Sequence, residues 1–150
     1  MTNLRKIYTS KWFPRIAYKK YDGGKESGVI GYCLIEWKIL FSIVLLKFNN
    51  GSRENYHSHA FNAITWFLSG RVKEETYVNH FSIIDFPDKW FIPSFIPKIT
   101  RRGKIHRVHS IGTTWALSFR GPWRDTWQEI DKNNQIITLT HGRKQVHGKI

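Results

Sequence analysis

The sequence predicts an all-β chain folded as one sandwich or barrel domain, and three observations carry that reading. Short runs rich in β-branched and aromatic residues recur at close intervals. Gly, Pro and Asn stand between them as turn formers. The two most apolar runs, 29–37 and 38–48, show no sustained 3.6-residue stripe of the kind a helix needs. A length of 150 residues suits one core rather than two, and 41% apolar residues are enough to fill it.

In order, residues 1–28 read as a basic, irregular extension that closes on the turn Asp22-Gly23-Gly24. Val29 to Trp37 and Lys38 to Phe48 are the first strands, ended by Asn49-Asn50-Gly51-Ser52. Tyr56 to Leu68 is the next strand, stopped by Ser69-Gly70, and Arg71 to Asn79 alternates as a half-exposed strand. Pro87, Pro93 and Pro97 keep the middle section in short extended pieces. Ile105 to Ser110 and Thr113 to Arg120 flank a turn at Gly112, with Trp115 expected in the core. After Gly121-Pro122 the pattern allows at most a short helix near Trp123 to Ile130. Gln135 to Thr140 is the last strand, and 141–150 reads as a polar, basic tail. The domain proper is therefore expected over 29–140.

The charge is lopsided: 24 Lys and Arg against 11 Asp and Glu, a net +13. A field of that sign favours nucleic acid, phosphorylated small molecules or anionic surfaces as partners, although no nucleic-acid recognition motif accompanies it. Cys33 is the only cysteine, which rules out an internal disulfide and suits a reducing cytoplasm. It sits in an apolar run, where a free thiol acts as a small core residue. The first 20 residues lack the apolar stretch of a secretory signal, and Ile39 to Leu46 is too short to span a bilayer, so no membrane partner is expected. Phosphate-binding loops, nucleophile elbows and paired cysteines for zinc are absent.

The seven histidines are the most informative feature. His57 and His59 are two apart, so on a strand both imidazoles point to one face and can converge on one ion, at Zn–N-like distances of ~2.1 Å. His109 points to the face opposite His106. His80, His141 and His147 have no partner at ligand spacing and are expected to face solvent.

Gly51 stands six residues before His57, and the Gly-x5-His-x-His segment runs on to the Gly70 turn. This resembles the first signature of the cupin superfamily, and Gly103-Lys104-Ile105-His106 resembles the Gly-x2-His core of the second. The resemblance implies a cupin-type double-stranded β-helix, a jelly-roll barrel, with His106 reaching in from a neighbouring strand as the third metal ligand. One departure is clear: Ala63-Ile64-Thr65 occupies the place of the usual glutamate ligand. That implies a three-histidine site, as in the thiol dioxygenases of the superfamily, with one divalent ion. Iron is the first expectation, and zinc and manganese remain open. Glu74, Glu36 or Glu54 could swing in instead, and His109 competes with His106 for the third place.

Further segments resemble small, largely uncharacterised cupin-like proteins of tailed bacteriophages. They are Gly51-Ser52-Arg53-Glu54, His57-Ser58-His59-Ala60-Phe61, Trp66-Phe67-Leu68-Ser69-Gly70, His106-Arg107-Val108, the run from Thr114 to Trp123, and the run from Thr138 to Lys144. A phage origin implies action in the host cytoplasm.

Arg120, Trp123 and Trp127 are the candidate substrate-binding residues. An arginine beside indoles can hold a carboxylate or phosphate while the rings stack on a planar group. The basic run Lys98 to Arg107 leads into His106 and is expected to border the pocket mouth. Arg53 and Glu54 read as an ordinary surface ion pair.

Two functional readings follow. The first is a metal-dependent enzyme, a dioxygenase or hydrolase, acting on a small anionic, nucleotide-like substrate. The second is a non-catalytic phage accessory protein that binds an anionic ligand, nucleic acid or a host protein. A homodimer is compatible with either.

Overall fold

The computed structural model describes residues 12–52, 55–78, 87–141 and 143–146. Among the described residues ten strands are formed: β1 (Arg15–Tyr21), β2 (Val29–Trp37), β3 (Phe41–Phe48), β4 (Ala63–Thr76), β5 (Lys89–Phe91), β6 (Lys98–Thr100), β7 (His106–Arg120), β8 (Thr126–Ile130), β9 (Ile136–Thr140) and β10 (Lys144–Gln145). All pairings are antiparallel. The only helical element among the described residues is a 3-10 turn, Lys25–Ser27.

The architecture turns on the two long strands. Ala63–Ser69 of β4 pairs with Trp115–Arg120 of β7, and Arg71–Thr76 pairs with His106–Ile111. Between these halves β7 carries extra residues, a bulge at 112–114. Gly70 and Gly112 take the left-handed φ values of 77° and 71° that the bend demands. At Gly70 a side chain is also barred sterically, since a Cβ there would lie 2.6 Å from the Thr113 carbonyl oxygen. Side chains satisfy the polar backbone at the bend: Ser110 Oγ donates to Gly112 O at 2.7 Å, and Thr114 Oγ1 to Arg71 O at 3.2 Å.

The upper halves of β4 and β7 join β6, β3, β2 and β1 in one layer. The lower halves join β5 and then, through bridges from His57 to His106 and to Glu129, the ribbon β8-β9-β10. One core lies between the layers, drawing Val29, Cys33, Val44, Leu46 and Phe48 from β2 and β3 and Phe67, Val72, Val108 and Ala116 from both halves of β4 and β7.

Several expectations are corrected here. Residues 15–21 are a strand rather than irregular chain. Their basic sequence hides the alternation, and the strand is held by its ladder to β2 more than by burial. The glycines at 70 and 112 bend continuous strands instead of ending them, because each is matched by pairing on both sides. Residues 126–130 form β8, not a helix, since their backbone is taken by β9. Lys144–Gln145 of the expected tail adds β10 to the ribbon. Trp115 lies on the outer face, stacked on Tyr32 at 5.8 Å, because the bulge sets its side chain opposite to buried Thr114 and Ala116.

Candidate metal centre

The segment 56–59 is not the strand that alternation suggests. It lies wedged between the start of β7 and β8. His57 exchanges both backbone hydrogen bonds with His106, at 2.9 and 3.0 Å, while Ser58 N donates to Gln128 O at 2.8 Å and His59 N to Arg102 O at 3.1 Å. This pinning aims the imidazoles of His57 and His59 inward, beside that of His106. One ring nitrogen from each lies within 4.8 Å of the others, and His57 and His106 are buried.

The outer shell is equally specific. His57 Nδ1 donates to Asn55 O at 3.1 Å, and His106 Nδ1 meets the buried carboxylate of Glu74. Each bond puts the ring proton on Nδ1 and leaves the Nε2 lone pair facing the centre. His59 Nε2 lies 2.9 Å from His106 Nε2. That spacing matches two neighbouring ligands on one ion at ~2.1 Å each. The donor set therefore fits a divalent metal with positions left open.

Glu74 is thus outside the group of three and stands behind His106. Its carboxylate also takes Lys98 Nζ at 2.7 Å and Lys104 Nζ at 2.9 Å. Burial alone would raise its pKa, but the His106 hydrogen bond and the Lys98 charge outweigh burial and hold it below the usual carboxylate range. His106 is pushed down to about 4, chiefly by burial, with the Glu74 bond opposing and the Lys98 charge assisting. Lys98, the first residue of the basic run expected to border the pocket mouth, has a side chain only 8% exposed and is drawn in by Glu74.

His109 is exposed and points away, as alternation along β7 requires. Glu36 stays out of the histidine group and is bound to Tyr18 and Lys20. Glu54, Arg53, His80 and His147 lie outside the described residues. His141 is half-buried rather than solvent-facing, with its ring 5.6 Å from Trp123 and 6.2 Å from Trp127.

His57 and His59 open onto a cavity of about 420 Å³ whose walls include Trp123, Trp127, Phe61, Lys20, Lys38 and Arg143. Trp123 packs on Phe61 at 4.9 Å and carries Lys20 and Lys38 over its ring at 5.1 and 5.0 Å. Its buried indole N–H has no hydrogen-bond partner among the described residues. Lys38 has a lowered pKa, from burial first and the Lys20 charge in addition, with Glu36 opposing. Arg120 lies inside as well, in a smaller inner recess of about 60 Å³ that it shares with all three histidines. Its guanidinium is engaged, however, by two bonds to Asp22 at 3.0 and 2.8 Å, and it sits over the Phe61 ring.

Sequence reasoning missed the wall formed by Tyr18, Lys20, Glu36 and Lys38. A signal was present: Tyr18 and Lys20 are two apart on one strand face, and Glu36 interrupts an otherwise apolar inner face on β2.

The layers, the bent strand pair and the inward histidines together specify an architecture. The fold is that of the cupins. It matches the structure of a cupin-2 domain protein from Rhodospirillum rubrum with a TM-score of 0.56 at 13% identity, over 79% of this chain and 76% of that one. An RmlC-like cupin from Shewanella frigidimarina matches with a TM-score of 0.52 at 14% identity, over 70% and 84%. A cupin-superfamily protein from Silicibacter pomeroyi, described as a sugar phosphate isomerase, matches with a TM-score of 0.51 at 11% identity, over 91% and 92%. No protein-family model matches the sequence, and no curated protein matches it. At these identities the cupin likeness speaks for the fold, and the chemistry must be argued from the site. No helix among the described residues is long and apolar enough to cross a membrane.

Proposed function

We propose that this chain is a mononuclear metal enzyme in which His57, His59 and His106 hold a divalent ion, iron(II) first, and whose substrate is a small anion bound in the adjoining cavity. The single observation that carries this reading is the convergence of three imidazoles, one ring nitrogen from each within 4.8 Å of the others, beside a cavity large enough for a small molecule. The ion would supply a Lewis-acidic centre with open coordination positions and, as iron(II), an electron source for dioxygen.

The residues of the chain divide the remaining work. Glu74 keeps the proton of His106 on Nδ1 and so keeps Nε2 available. Lys20 and Lys38 place positive charge over Trp123 and attract an anion, while the Trp123 indole N–H offers a donor that nothing among the described residues uses. Trp127 adds a second aromatic surface for a planar group. The role expected of Arg120 passes to the lysines, since its guanidinium is already bound to Asp22.

The test is metal analysis of purified protein together with oxygen uptake. One equivalent of metal is expected in the parent chain and none in a His57→Ala, His59→Ala double variant, with oxygen consumed by the iron-loaded protein in the presence of a small carboxylate or phosphate ester. A protein that binds metal stoichiometrically but consumes no oxygen and hydrolyses none of these compounds would favour the non-catalytic binding module instead. A folded protein that takes up no metal sinks the reading.

A further inference from the structure

The cations in and around the two cavities come with carboxylates of their own. Arg120 has Asp22, Lys98 has Glu74, Lys20 has Glu36 and Arg143 has Glu129. The pairing follows from the cost of taking a charge out of water without a counter-ion. Lys38 breaks the pattern. It is half-buried in the wall of the larger cavity, with its ammonium 5.0 Å from the centre of the Trp123 ring. Its side chain forms no ion pair or hydrogen bond among the described residues. Burial is the first cause of its lowered pKa, with Glu36 opposing from beyond ion-pair reach and Lys20 and Arg15 adding to the effect. Arg15 also lines this cavity outside any ion pair, but it is exposed, lies over the Tyr18 ring at 3.8 Å, and has water to solvate it.

A row of rings leads from the histidines to this ammonium. The His59 ring lies 5.2 Å from that of Phe61, Phe61 lies 4.9 Å from Trp123, and Lys38 stands over Trp123. All four line the same cavity. Aromatic walls favour a flat ring between them, and one uncompensated ammonium at the far end favours one negative charge. A second negative charge is opposed there. Glu36 lines the same cavity, and although burial would raise its pKa, Lys20 and Tyr18 hold it below the usual carboxylate range, so it is ionised.

We propose that the cavity takes an aromatic monocarboxylate, its carboxylate paired with Lys38, its ring along Trp123 and Phe61, and its far edge towards His59. This rests on the reading that the cavity beside the histidines is the substrate site, and it narrows a small anion to one class. The ligand supplies the counter-ion that Lys38 lacks in the free protein, which makes Lys38 the specificity-determining residue. Phosphate monoesters carry a charge of about −1.5 to −2 near neutral pH and meet Glu36 with the excess. The net charge of +13 does not change this preference, because the cations around the cavity other than Lys38 are matched by carboxylates or solvated.

The experiment is titration calorimetry on protein stripped of metal with a chelator, so that its outcome is independent of metal uptake. The probes are benzoate, benzamide, cyclohexanecarboxylate and phenyl phosphate. Benzoate is expected to bind at one site, about tenfold tighter than benzamide or phenyl phosphate and about threefold tighter than cyclohexanecarboxylate. Lys38→Met keeps an apolar stem over Trp123 and should weaken benzoate about tenfold, with Lys38→Arg restoring most of the loss. Arg15→Met, which removes the solvated cation, should change it by less than about twofold. The four-probe comparison on the parent chain needs no variant, so it decides the matter even if Lys38→Met fails to fold. The proposal is overturned by unchanged benzoate affinity in folded Lys38→Met, by any of the other probes binding as tightly as benzoate, or by no saturable benzoate binding. A protein that takes up metal but gives one of those results loses the Lys38 assignment alone. Benzoate bound through Lys38 in a protein that takes up no metal keeps the assignment and removes the enzyme reading.

Discussion

Two buried charges lie on the inner face of the β4–β7 pair, Glu74 in the lower half at 1% exposure and Arg120 in the upper half at 4%. Glu74 has several donors, Lys98, Lys104 and the His106 ring, and through the last of these it acts on the histidine group. Arg120 has one carboxylate, Asp22, in a two-bond fork, and through it ties the turn after β1 to β7. The same degree of burial thus serves opposite ends. A charge shared with a ligand imidazole tunes a site, and a charge closed on a single counter-ion is a strut. Proximity to the histidines does not distinguish the two, since Arg120 shares a recess with them.

The strongest way to break this comparison is at Asp22. Asp22→Ala leaves a buried guanidinium unpaired and should cost about 3–5 kcal/mol of stability, read from urea unfolding, with metal stoichiometry unchanged. A loss below about 1 kcal/mol would show that water replaces the carboxylate and that the strut is no strut.

At the other pole, Glu74→Gln keeps the shape but removes the charge that holds the His106 proton. Metal affinity should fall about 10–100-fold, measured by competition with a chelator, while circular dichroism stays that of the parent. Unaltered affinity would reduce Glu74 to a second strut.

A pH series sharpens the contrast further. In metal-free protein, His106 titrates at about 4 rather than its ordinary 6.5, burial being the main cause. As pH falls through 6.5 the unfolded chain takes up a proton that the folded chain refuses until about 4, so stability declines across that window. Glu74, held low by His106 and Lys98 against the effect of burial, adds a loss of the same sign as pH drops below the usual carboxylate range. Denaturant midpoints at pH 7 and pH 5 should therefore differ, with pH 5 lower, and saturating zinc should steepen the difference because the ligands must be neutral to bind.

The smallest effect is expected at His109. Exposed and directed away from the site, it should be replaceable by Ala with metal content and affinity unchanged. A measurable loss would return it to the ligand set.

Much of this was legible along the chain. The strand β2 was readable because Val29 to Trp37 is rich in β-branched and aromatic residues. The pairing of His57 with His59 followed from spacing, and the choice of His106 over His109 from a motif resemblance that the inward ring now supports. The Gly70 and Gly112 signals were read as turns because a glycine with positive φ looks the same in sequence whether it reverses a strand or bends it; only the partner strand tells the two apart. The strand Arg15–Tyr21 was hidden since its inward residues, Tyr18 and Lys20, line a polar cavity rather than the core.

By itself, then, the sequence determined the all-β character, the lone thiol, the surplus of positive charge and the pairing of His57 with His59. All of these follow from local propensity, composition or spacing within a few residues. Only the tertiary structure decided that Glu74 stands behind His106, that Asp22 neutralises Arg120 from 98 residues away in the chain, and that Lys20 and Lys38 meet over Trp123. The physical reason is common to them all: a charge or an apolar side chain is defined by what it faces, and in an antiparallel β-fold the facing residue is set by ladder register between strands far apart in sequence.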